Sequence, residues 1–374
     1  MTVEPPITSS TDLLAGVRVL DLSRYLPGPA CALHLSWLGA QVTCIEQPPH
    51  GDPMRGIPPV DPATGESLAY SSLRRAARRE LLDLSDPAGR TRALKLAAEA
   101  DVVIESFRPG VAERLGVGPA ALRERDPALV YCSISGFGQD GPWVNAPGHD
   151  LGYEAMAGLA ARSGTPERVV APAVPVADLA GALTAAAAIC AALVRRARTG
   201  AGCHLDIALS EAALALQLMD LPAADRPEAA RGSGPLTGAL ACYDAYECAD
   251  GEWVAVAPIE PKFFATLCEQ LDLGYLVPDQ FDPAAQSRIR AELAAAFAQR
   301  SARAWDRELA GDDGGGACVV WARPLDQVAA HPQFIARGAV ERATFADGAP
   351  LPASPYVVDG ARTSAPVQPP SGQL

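Results

Sequence analysis

Apolar and polar positions along the first 140 residues predict short strands separated by helices. Four short apolar runs have the length and composition of buried strands, namely Val17–Leu22, Gln41–Ile45, Asp101–Glu105 and Leu129–Ser135. Helical patterns occur between them, at Ala30–Leu38, Ala88–Ala100 and Ala112–Leu115. Strands that alternate with helices indicate a doubly wound, Rossmann-like parallel sheet and therefore an α/β domain. Because ligands bind at the carboxyl ends of such strands, we expect the functional site in the loops after Leu22, Ile45, Glu105 and Ser135.

Beyond Pro147 the pattern becomes mainly helical. Helices are predicted at Leu151–Leu159, Asp178–Thr199 and Asp206–Met219, followed by a linker at Asp220–Pro235. Two strand-like runs between Ala239 and Ile259 flank the turn Ala249-Asp250-Gly251, which indicates a hairpin. Further helices are predicted at Lys262–Leu271, Gln286–Ala298 and Ala302–Ala310, and the proline-rich end at Pro350–Leu374 predicts an extended arm.

The length of 374 residues favours two domains. We predict a large α/β domain over residues 1–225 and a smaller α+β domain over residues 236–325. The C-terminal segment, residues 326–374, is expected to return to the large domain.

Composition narrows the class of protein. A net charge of −13 and a pI near 4.9 argue against a nucleic-acid partner, because the average surface field repels phosphate. The most apolar run, Ala180–Val194, is shorter than the ~20 residues that span a bilayer, and the N-terminus lacks the pattern of a signal peptide. Nine cysteines without CxxC spacing indicate reduced thiols rather than a metal site. We therefore expect a cytoplasmic enzyme without a membrane partner or a metal.

One glycine motif is misleading. Gly136–Gly141 matches GxGxxG and follows a strand, but a dinucleotide site requires this loop to open a helix. The residues that follow include Pro142 and Pro147 and do not form a helical pattern. We predict a tight turn here, and no nicotinamide or flavin cofactor.

Positive charge is concentrated in two places. Arg74, Arg75, Arg78 and Arg79 lie within six residues, and Arg108 follows a predicted strand. Such a cluster is either a solvated face or a patch for a phosphorylated ligand, since guanidinium groups pair with phosphate.

Candidate acid–base residues lie at the ends of predicted elements. His149 and Asp150 precede a helix, Asp178 begins the long Ala-rich helix, and Glu260 ends a strand. Helix capping is the commonest role of aspartate at such positions, so Asp150 and Asp178 are either caps or catalytic groups. Apolar surroundings at element ends shift pKa values toward catalytic use.

Motifs along most of the chain resemble those of one enzyme family. They are Leu14–Ser23, Pro27-Gly28-Pro29, Gly51-Asp52-Pro53, Ile104–Val111, Ser135–Gln139, Gly148-His149-Asp150, Val176-Ala177-Asp178, Arg198-Thr199-Gly200 and Ile259–Phe263. In this order they resemble the class III coenzyme A transferases, the CaiB/BaiF family. His149 stands before Asp150, where transferases of the family usually have Tyr or Phe, and this is similar to the α-methylacyl-CoA racemase branch. The segment around Glu260 is also racemase-like.

The resemblance implies an acyl-CoA thioester as substrate, with coenzyme A as part of it, and a place in lipid metabolism without a prosthetic group. It implies inversion at the α-carbon of a 2-methylacyl group through an enolate, which needs one base on each face. By resemblance, His149 supported by Glu260 serves one face and Asp178 the other. The alternative is transfer of coenzyme A between carboxylic acids, with Asp150 as the nucleophile.

The same resemblance implies further binding roles. Arg75, Arg78 and Arg108 would hold the coenzyme A phosphates, while Tyr153 and the segment Leu82-Asp83-Leu84 would contact the adenine or pantetheine portion. Subunits of the family thread through one another, so an interlocked homodimer is expected. Glu260 would then reach His149 across the subunit interface.

Overall fold

The computed structural model describes residues 11–310 and 316–366. Its strands are β1 (Arg18–Asp21), β2 (Gln41–Glu46), β3 (Ala77–Leu81), β4 (Val102–Glu105), β5 (Val130–Ser135), β6 (Gly164–Thr165), β7 (Arg168–Val169), β8 (His204–Ala208), β9 (Asp244–Glu247), β10 (Trp253–Val256), β11 (Val319–Trp321), β12 (Val340–Arg342), β13 (Pro350–Pro352), β14 (Val357–Val358) and β15 (Ala361–Arg362). Its α-helices are α1 (Pro27–Trp37), α2 (Leu68–Arg74), α3 (Pro87–Ala98), α4 (Val111–Arg114), α5 (Pro119–Arg125), α6 (Asp150–Met156), α7 (Leu159–Arg162), α8 (Val176–Thr199), α9 (Leu209–Ala215), α10 (Pro261–Gln270), α11 (Gln286–Phe297), α12 (Ala302–Leu309), α13 (Leu325–Val328) and α14 (Pro332–Ala336).

The chain divides into two compact units. The first contains the described residues up to Gly158, then Ala173–Leu216, and the chain from Pro332 onward. The second contains Leu159–Pro172 and the described part of Gln217–His331. Residues 159–172 thus group with the second unit, whereas the predicted boundaries placed them in the large domain.

The first unit is built on a six-stranded sheet with the order β3-β2-β1-β4-β5-β8. Every neighbouring pair in this sheet is parallel. Buried residues of α1 and α8, among them Leu35 and Ile189, cover one face. Residues of α3 and α5, among them Ala93 and Leu122, cover the other face. The predicted α/β fold with a large parallel sheet is therefore confirmed.

Both edge strands of this sheet were missed in the sequence. The helix predicted over Asp206–Met219 is wrong in its first part, because β8 occupies His204–Ala208 and α9 spans only Leu209–Ala215. The β8 sequence HLDIA alternates polar and apolar residues, as an edge strand does, and it pairs along its length with β5. At the opposite edge, β3 pairs with β2, but its two arginines do not fit the apolar pattern by which strands were predicted.

Helix α8 is the longest helix of the described chain, with 24 residues. By length and composition it could cross a membrane, so the expectation that no segment is long enough is wrong. In this structure 39% of its most apolar window is buried, and it packs against α1, α9 and β5. Small residues such as Ala182 and Ala185 make up much of its buried face and allow this close packing.

The second unit contains a three-stranded antiparallel sheet with the order β11-β10-β9. The predicted turn Ala249-Asp250-Gly251 connects β9 to β10, and Gly251 adopts a positive φ of 76° there. The core includes Phe264, Phe297 and Trp305 from α10, α11 and α12. The Trp305 indole N–H donates a hydrogen bond to the Phe297 carbonyl at 2.9 Å, which satisfies its buried polar group.

The described C-terminal residues form two short hairpins in the first unit. Strand β12 pairs with β13, and β14 pairs with β15. The predicted extended arm over Pro350–Leu374 therefore contains paired strands up to Arg362. Its last eight residues, 367–374, lie outside the described part of the chain.

Candidate active site

A cavity of about 550 Å³ lies in the first unit at the carboxyl ends of the central strands. The loops after β1, β4 and β5 line it, together with the starts of α6 and α8. This is where a parallel sheet is expected to bind ligands. The loop after β2 contributes no lining residue. The lining residues used below are Arg24, Tyr25, Phe107, Arg108, Ser135, Gly136, Phe137, Gly148, His149, Tyr153 and Asp178.

The loop after β5 forms a turn and does not open a helix. Gly138 and Gly141 both adopt a φ of 86°, which is available to glycine without strain. Helix α6 begins only at Asp150. The expectation that Gly136–Gly141 does not open a helix is confirmed, and the chain bends there before a turn at residues 142–145.

His149 is the N-cap residue of α6, in an extended conformation with φ −135° and ψ 169°. Its side chain makes no capping hydrogen bond, so the imidazole is not engaged in closing the helix. Its backbone carbonyl accepts the N–H of Gly152 at 2.8 Å. The backbone carbonyl of His149 therefore accepts the first hydrogen bond of α6, and His149 also lines the cavity.

Two carboxyl groups of α6 cap the start of α8. Asp150 Oδ1 accepts the backbone N–H of Asp178 at 2.9 Å, and Glu154 Oε1 accepts that of Val176 at 3.1 Å. The N-cap position of α8 is Pro175, whose side chain cannot accept a hydrogen bond. Asp150 is therefore a capping residue, as one interpretation of the sequence held, but it caps α8 rather than its own helix.

Asp178 lines the cavity and has no hydrogen-bond or ion-pair partner for its carboxyl group among the described residues. Burial, together with the negative charges of Asp150 and Glu154, raises the pKa of this carboxyl to about 7. Burial and the hydrogen bond with Asp150 also raise the pKa of Glu154, which is fully buried. A carboxyl group with a pKa near neutrality can both accept and return a proton at pH 7.

Tyr153 forms one wall of the cavity and is packed tightly. A Cβ atom on Gly136 or on Gly148 would lie 2.5 Å from its Cε1 atom, so both positions require glycine. The ring also meets Phe137 edge to face, with centroids 5.2 Å apart. Burial raises the pKa of Tyr153 to about 12, with a contribution from the charge of Asp178, so its hydroxyl stays protonated at neutral pH.

Two arginines give the cavity positive charge. Arg24 and Arg108 both line it, and in the described chain neither forms an ion pair. The Arg24 guanidinium lies 5.3 Å from the centroid of the Phe107 ring. Arg108 was expected from the sequence, whereas Arg24 was missed. The rule that ligands bind at strand ends could have identified Arg24, because it follows β1 by three residues.

The other arginines predicted to hold phosphate do not line this cavity. Arg75 donates to Glu341 Oε1 at 3.1 Å and to the Pro352 carbonyl at 2.7 Å, so it binds the C-terminal hairpin. Arg78 pairs with Glu80 of the same strand. These contacts are those of structural and surface arginines, and the phosphate role of both residues stays a prediction.

The predicted segment Leu82-Asp83-Leu84 follows β3. The Leu84 side chain is buried in the apolar core with Ile45 and Val103, and Leu82 packs partly against the same cluster. Asp83 accepts hydrogen bonds from Ser85. The two leucine side chains serve the core, which leaves the backbone and Asp83 for any contact with a ligand.

Glu260 belongs to the second unit. It is the N-cap residue of α10 and makes no capping hydrogen bond with its side chain. The Glu260 side chain is exposed, and its support of His149 across a subunit interface stays a prediction. Among the described residues, no group of three or more His, Cys, Asp or Glu side chains could hold a metal ion.

A family model described as CoA-transferase family III matches residues 14–373. The chain belongs to this family. The human alpha-methylacyl-CoA racemase is 34% identical over 91% of this chain and 85% of the racemase. The succinate–glutarate CoA-transferase of Agrobacterium fabrum is 32% identical over 91% of this chain and 87% of the transferase.

Solved structures agree with this assignment. A CaiB/BaiF family protein from Brucella suis has a TM-score of 0.81, with 28% identity over 94% of this chain and 95% of that protein. The protein is therefore a family III enzyme, and an acyl-CoA substrate is consistent with its relatives. Racemases and transferases both occur among them at about one-third identity, so the choice between the two reactions rests on the site.

Proposed function

We propose that this family III enzyme is an acyl-CoA racemase or epimerase that inverts the α-carbon of a 2-methylacyl-CoA thioester. One observation carries the proposal: His149 and Asp178 line the cavity, whereas the Asp150 carboxylate is engaged with the N-terminus of α8. Asp150 is not among the cavity-lining residues. A nucleophile must face the thioester carbonyl, and a carboxylate engaged in capping is poorly placed to attack it.

The chemistry follows from the acidity of the carbon next to a thioester. One base removes the α-proton, and the electron pair of the broken C–H bond enters the enolate. The acid on the opposite face then delivers a proton to the same carbon, so the configuration inverts and coenzyme A stays attached. Asp178 suits one of these roles because its pKa is about 7. His149 is proposed for the other, and neither step needs a metal or a redox cofactor.

The enolate oxygen needs hydrogen-bond donors that are already in place. The first backbone N–H groups of α6, at Asp150 and Leu151, have no acceptor within the helix. Positive charge from Arg108 lies in the same cavity. We expect these groups to stabilise the oxyanion, a contribution worth about 10²–10³ in rate for a single donor.

The decisive assay follows deuterium from solvent into the α-position of one pure epimer of a 2-methylacyl-CoA. A racemase incorporates deuterium without any free acid. A transferase requires an acceptor acid and forms an aspartyl-CoA thioester that hydroxylamine cleaves. Exchange that depends on a free acid would refute the racemase proposal.

Variants of Asp150 sharpen the distinction. Asp150→Asn keeps an oxygen acceptor for the Asp178 N–H and removes the nucleophile. We expect a racemase to keep α-exchange at a reduced rate, because the charge that helps to raise the pKa of Asp178 is lost, and a transferase to lose all activity. Asp126→Asn is the matched control, because Asp126 Oδ1 also accepts a backbone N–H at 2.9 Å but lies at the opposite end of β5. His149→Gln should abolish exchange in the racemase.

Transfer of coenzyme A is the alternative, and it is favoured by one observation. Asp150 stands next to the cavity-lining His149, so a rotation of its side chain away from α8 could bring it toward a substrate. The relatives of this chain also include CoA-transferases, which supports considering this alternative. The same two assays decide it.

We also propose that the enzyme is a homodimer, as the family resemblance implies. One face of α8 is buried, but Leu183 and Val194 on another face are 50% and 52% exposed. A second copy of the chain would cover this apolar face. Sedimentation of the parent should give a dimer, and Leu183→Glu should give a monomer that keeps its secondary structure. A parent that sediments as a monomer would refute the proposal.

A further inference from the structure

Tyr25 adopts an unusual backbone conformation at the edge of the cavity. Its φ is 64°, in the left-handed region that bulky side chains rarely occupy. It lines the cavity together with His149 and Asp178, and it is 47% exposed. A glycine would adopt this conformation without strain, so the backbone strain of an aromatic residue here lowers the stability of the folded state.

A buried network holds this conformation in place. The Tyr25 N–H lies 3.2 Å from both carboxylate oxygens of Asp52, which is 1% exposed. Asp52 in turn accepts from Arg74 Nη2 at 3.4 Å, and Arg74 pairs with the buried Asp21. The same Arg74 nitrogen donates to the Ser23 carbonyl at 2.7 Å. Charged groups that take no part in the proposed reaction therefore hold the loop after β1 in its conformation.

The neighbouring residue is fixed as well. The backbone N–H of Arg24 donates to Ser106 Oγ at 3.0 Å, which connects the loop after β1 to the loop after β4. Strained conformations persist only where the surroundings determine them, and they cluster at ligand-binding sites. In this loop the backbone is determined on both sides of Tyr25, while its side chain is half exposed beside the cavity.

We propose that Tyr25 is a specificity-determining residue whose ring forms the wall against which the acyl group of the substrate packs. The inference rests on the proposed function only in that an acyl-CoA occupies this cavity. The strained backbone aims the ring, and the Asp52–Arg74–Asp21 network positions the backbone. Apolar acyl chains gain from covering the exposed ring, and short or polar acyl groups do not.

The test measures affinity, so it does not depend on which reaction the enzyme performs. Calorimetry would compare a long-chain 2-methylacyl-CoA, propanoyl-CoA and free coenzyme A for the parent, Tyr25→Gly and Tyr25→Phe. We expect Tyr25→Gly to weaken binding of the long-chain thioester about tenfold or more, the value of burying one large side chain, and to leave free coenzyme A unchanged. Tyr25→Phe keeps the ring and should bind like the parent.

A second readout separates this role from a structural one. Removing the strain should raise the melting temperature of Tyr25→Gly by about 2 °C, even though the variant binds substrate less well. Asp272→Gly is the matched control, because Asp272 has a φ of 58° in the second unit and should gain stability without any change in affinity.

Two results would overturn the inference. One is a Tyr25→Gly protein with the affinities of the parent, since the ring would then contribute nothing to binding. The other is a lower melting temperature, because the ring would then belong to the fold. Failure of the racemase proposal is seen separately, as absence of α-exchange in a parent that still binds acyl-CoA.

Discussion

Replacing Asp178 by asparagine should make the protein more stable and less active at the same time. The carboxyl group is partly buried near Asp150 and Glu154, and its pKa is raised from the ordinary value of 3.8 to about 7. Above pH 7 the folded state must hold a charged, partly buried carboxylate, whereas in the unfolded chain the same carboxylate is fully solvated. Asparagine has nearly the same shape and no charge, so Asp178→Asn removes this cost.

The magnitude follows from the two pKa values. Each tenfold change in a proton equilibrium is worth 1.36 kcal/mol, and the pKa values differ by roughly 3, which gives roughly 4 kcal/mol. An acid whose pKa is raised on folding does not destabilise the folded state below the pKa that it has in the unfolded chain. The destabilisation grows as the pH rises toward the pKa that it has in the folded state. The gain from Asp178→Asn should therefore be roughly 4 kcal/mol at pH 8 and only roughly 2 kcal/mol at pH 5.

Urea denaturation of the parent and of Asp178→Asn at both pH values measures this difference. Comparing the two pH values cancels any effect of the amide that does not depend on pH. The α-exchange rate of the same variant should fall by about 10²–10⁴, the usual contribution of a positioned acid or base. Asp126→Asn serves as the control and should change neither quantity.

An equal stability gain at pH 5 and pH 8 would refute the reasoning, because the gain would then come from packing and not from ionisation. Unchanged α-exchange would refute the catalytic role of Asp178 even if the stability result holds. The two parts of the prediction therefore fail independently.

Three further changes test other parts of the first unit. Burial raises the pKa of Glu105 to about 7, so Glu105→Gln should raise the free energy of unfolding more at pH 8 than at pH 5, again by urea denaturation. Arg75→Ala removes the contacts with Glu341 and Pro352 and should lower the free energy of unfolding by about 1 kcal/mol, with faster amide hydrogen exchange in β12 and β13. Gly136→Ala places a Cβ atom 2.5 Å from the Tyr153 ring and should cost about 1–3 kcal/mol, with weaker binding of acyl-CoA by calorimetry.

The central strands could be predicted because they are buried on both faces. The short strands β4 and β5 are buried at every position and are mostly apolar, which is the pattern expected of a buried parallel strand. The edge strands could not be predicted in the same way. Strand β3 carries two arginines and β8 begins with a histidine, and only their pairing partners make them strands. Their structure depends on tertiary contacts that local propensity does not report.

The candidate site was predicted in part. The motifs identified His149 and Asp178, and both line the cavity. Arg24 and Tyr25 were missed. Arg24 could have been identified from its place after β1, whereas no local pattern marks Tyr25, whose backbone is held in the left-handed region. That conformation is imposed on Tyr25 by Asp52, 27 residues away in the chain. Such hydrogen bonds between residues distant in the sequence form only when the sheet is assembled, so the periodicity of the sequence does not predict them.

The position of Asp150 bears on how one scaffold could support two reactions. Its carboxylate caps α8, and its negative charge also helps to raise the pKa of Asp178. In the racemase proposal it thus acts through Asp178, as a positioning and electrostatic residue. In the transferase alternative the same carboxylate must leave the helix terminus and attack the thioester. The reaction is therefore decided by whether this side chain faces α8 or the cavity, and a residue motif that both reactions require cannot distinguish them.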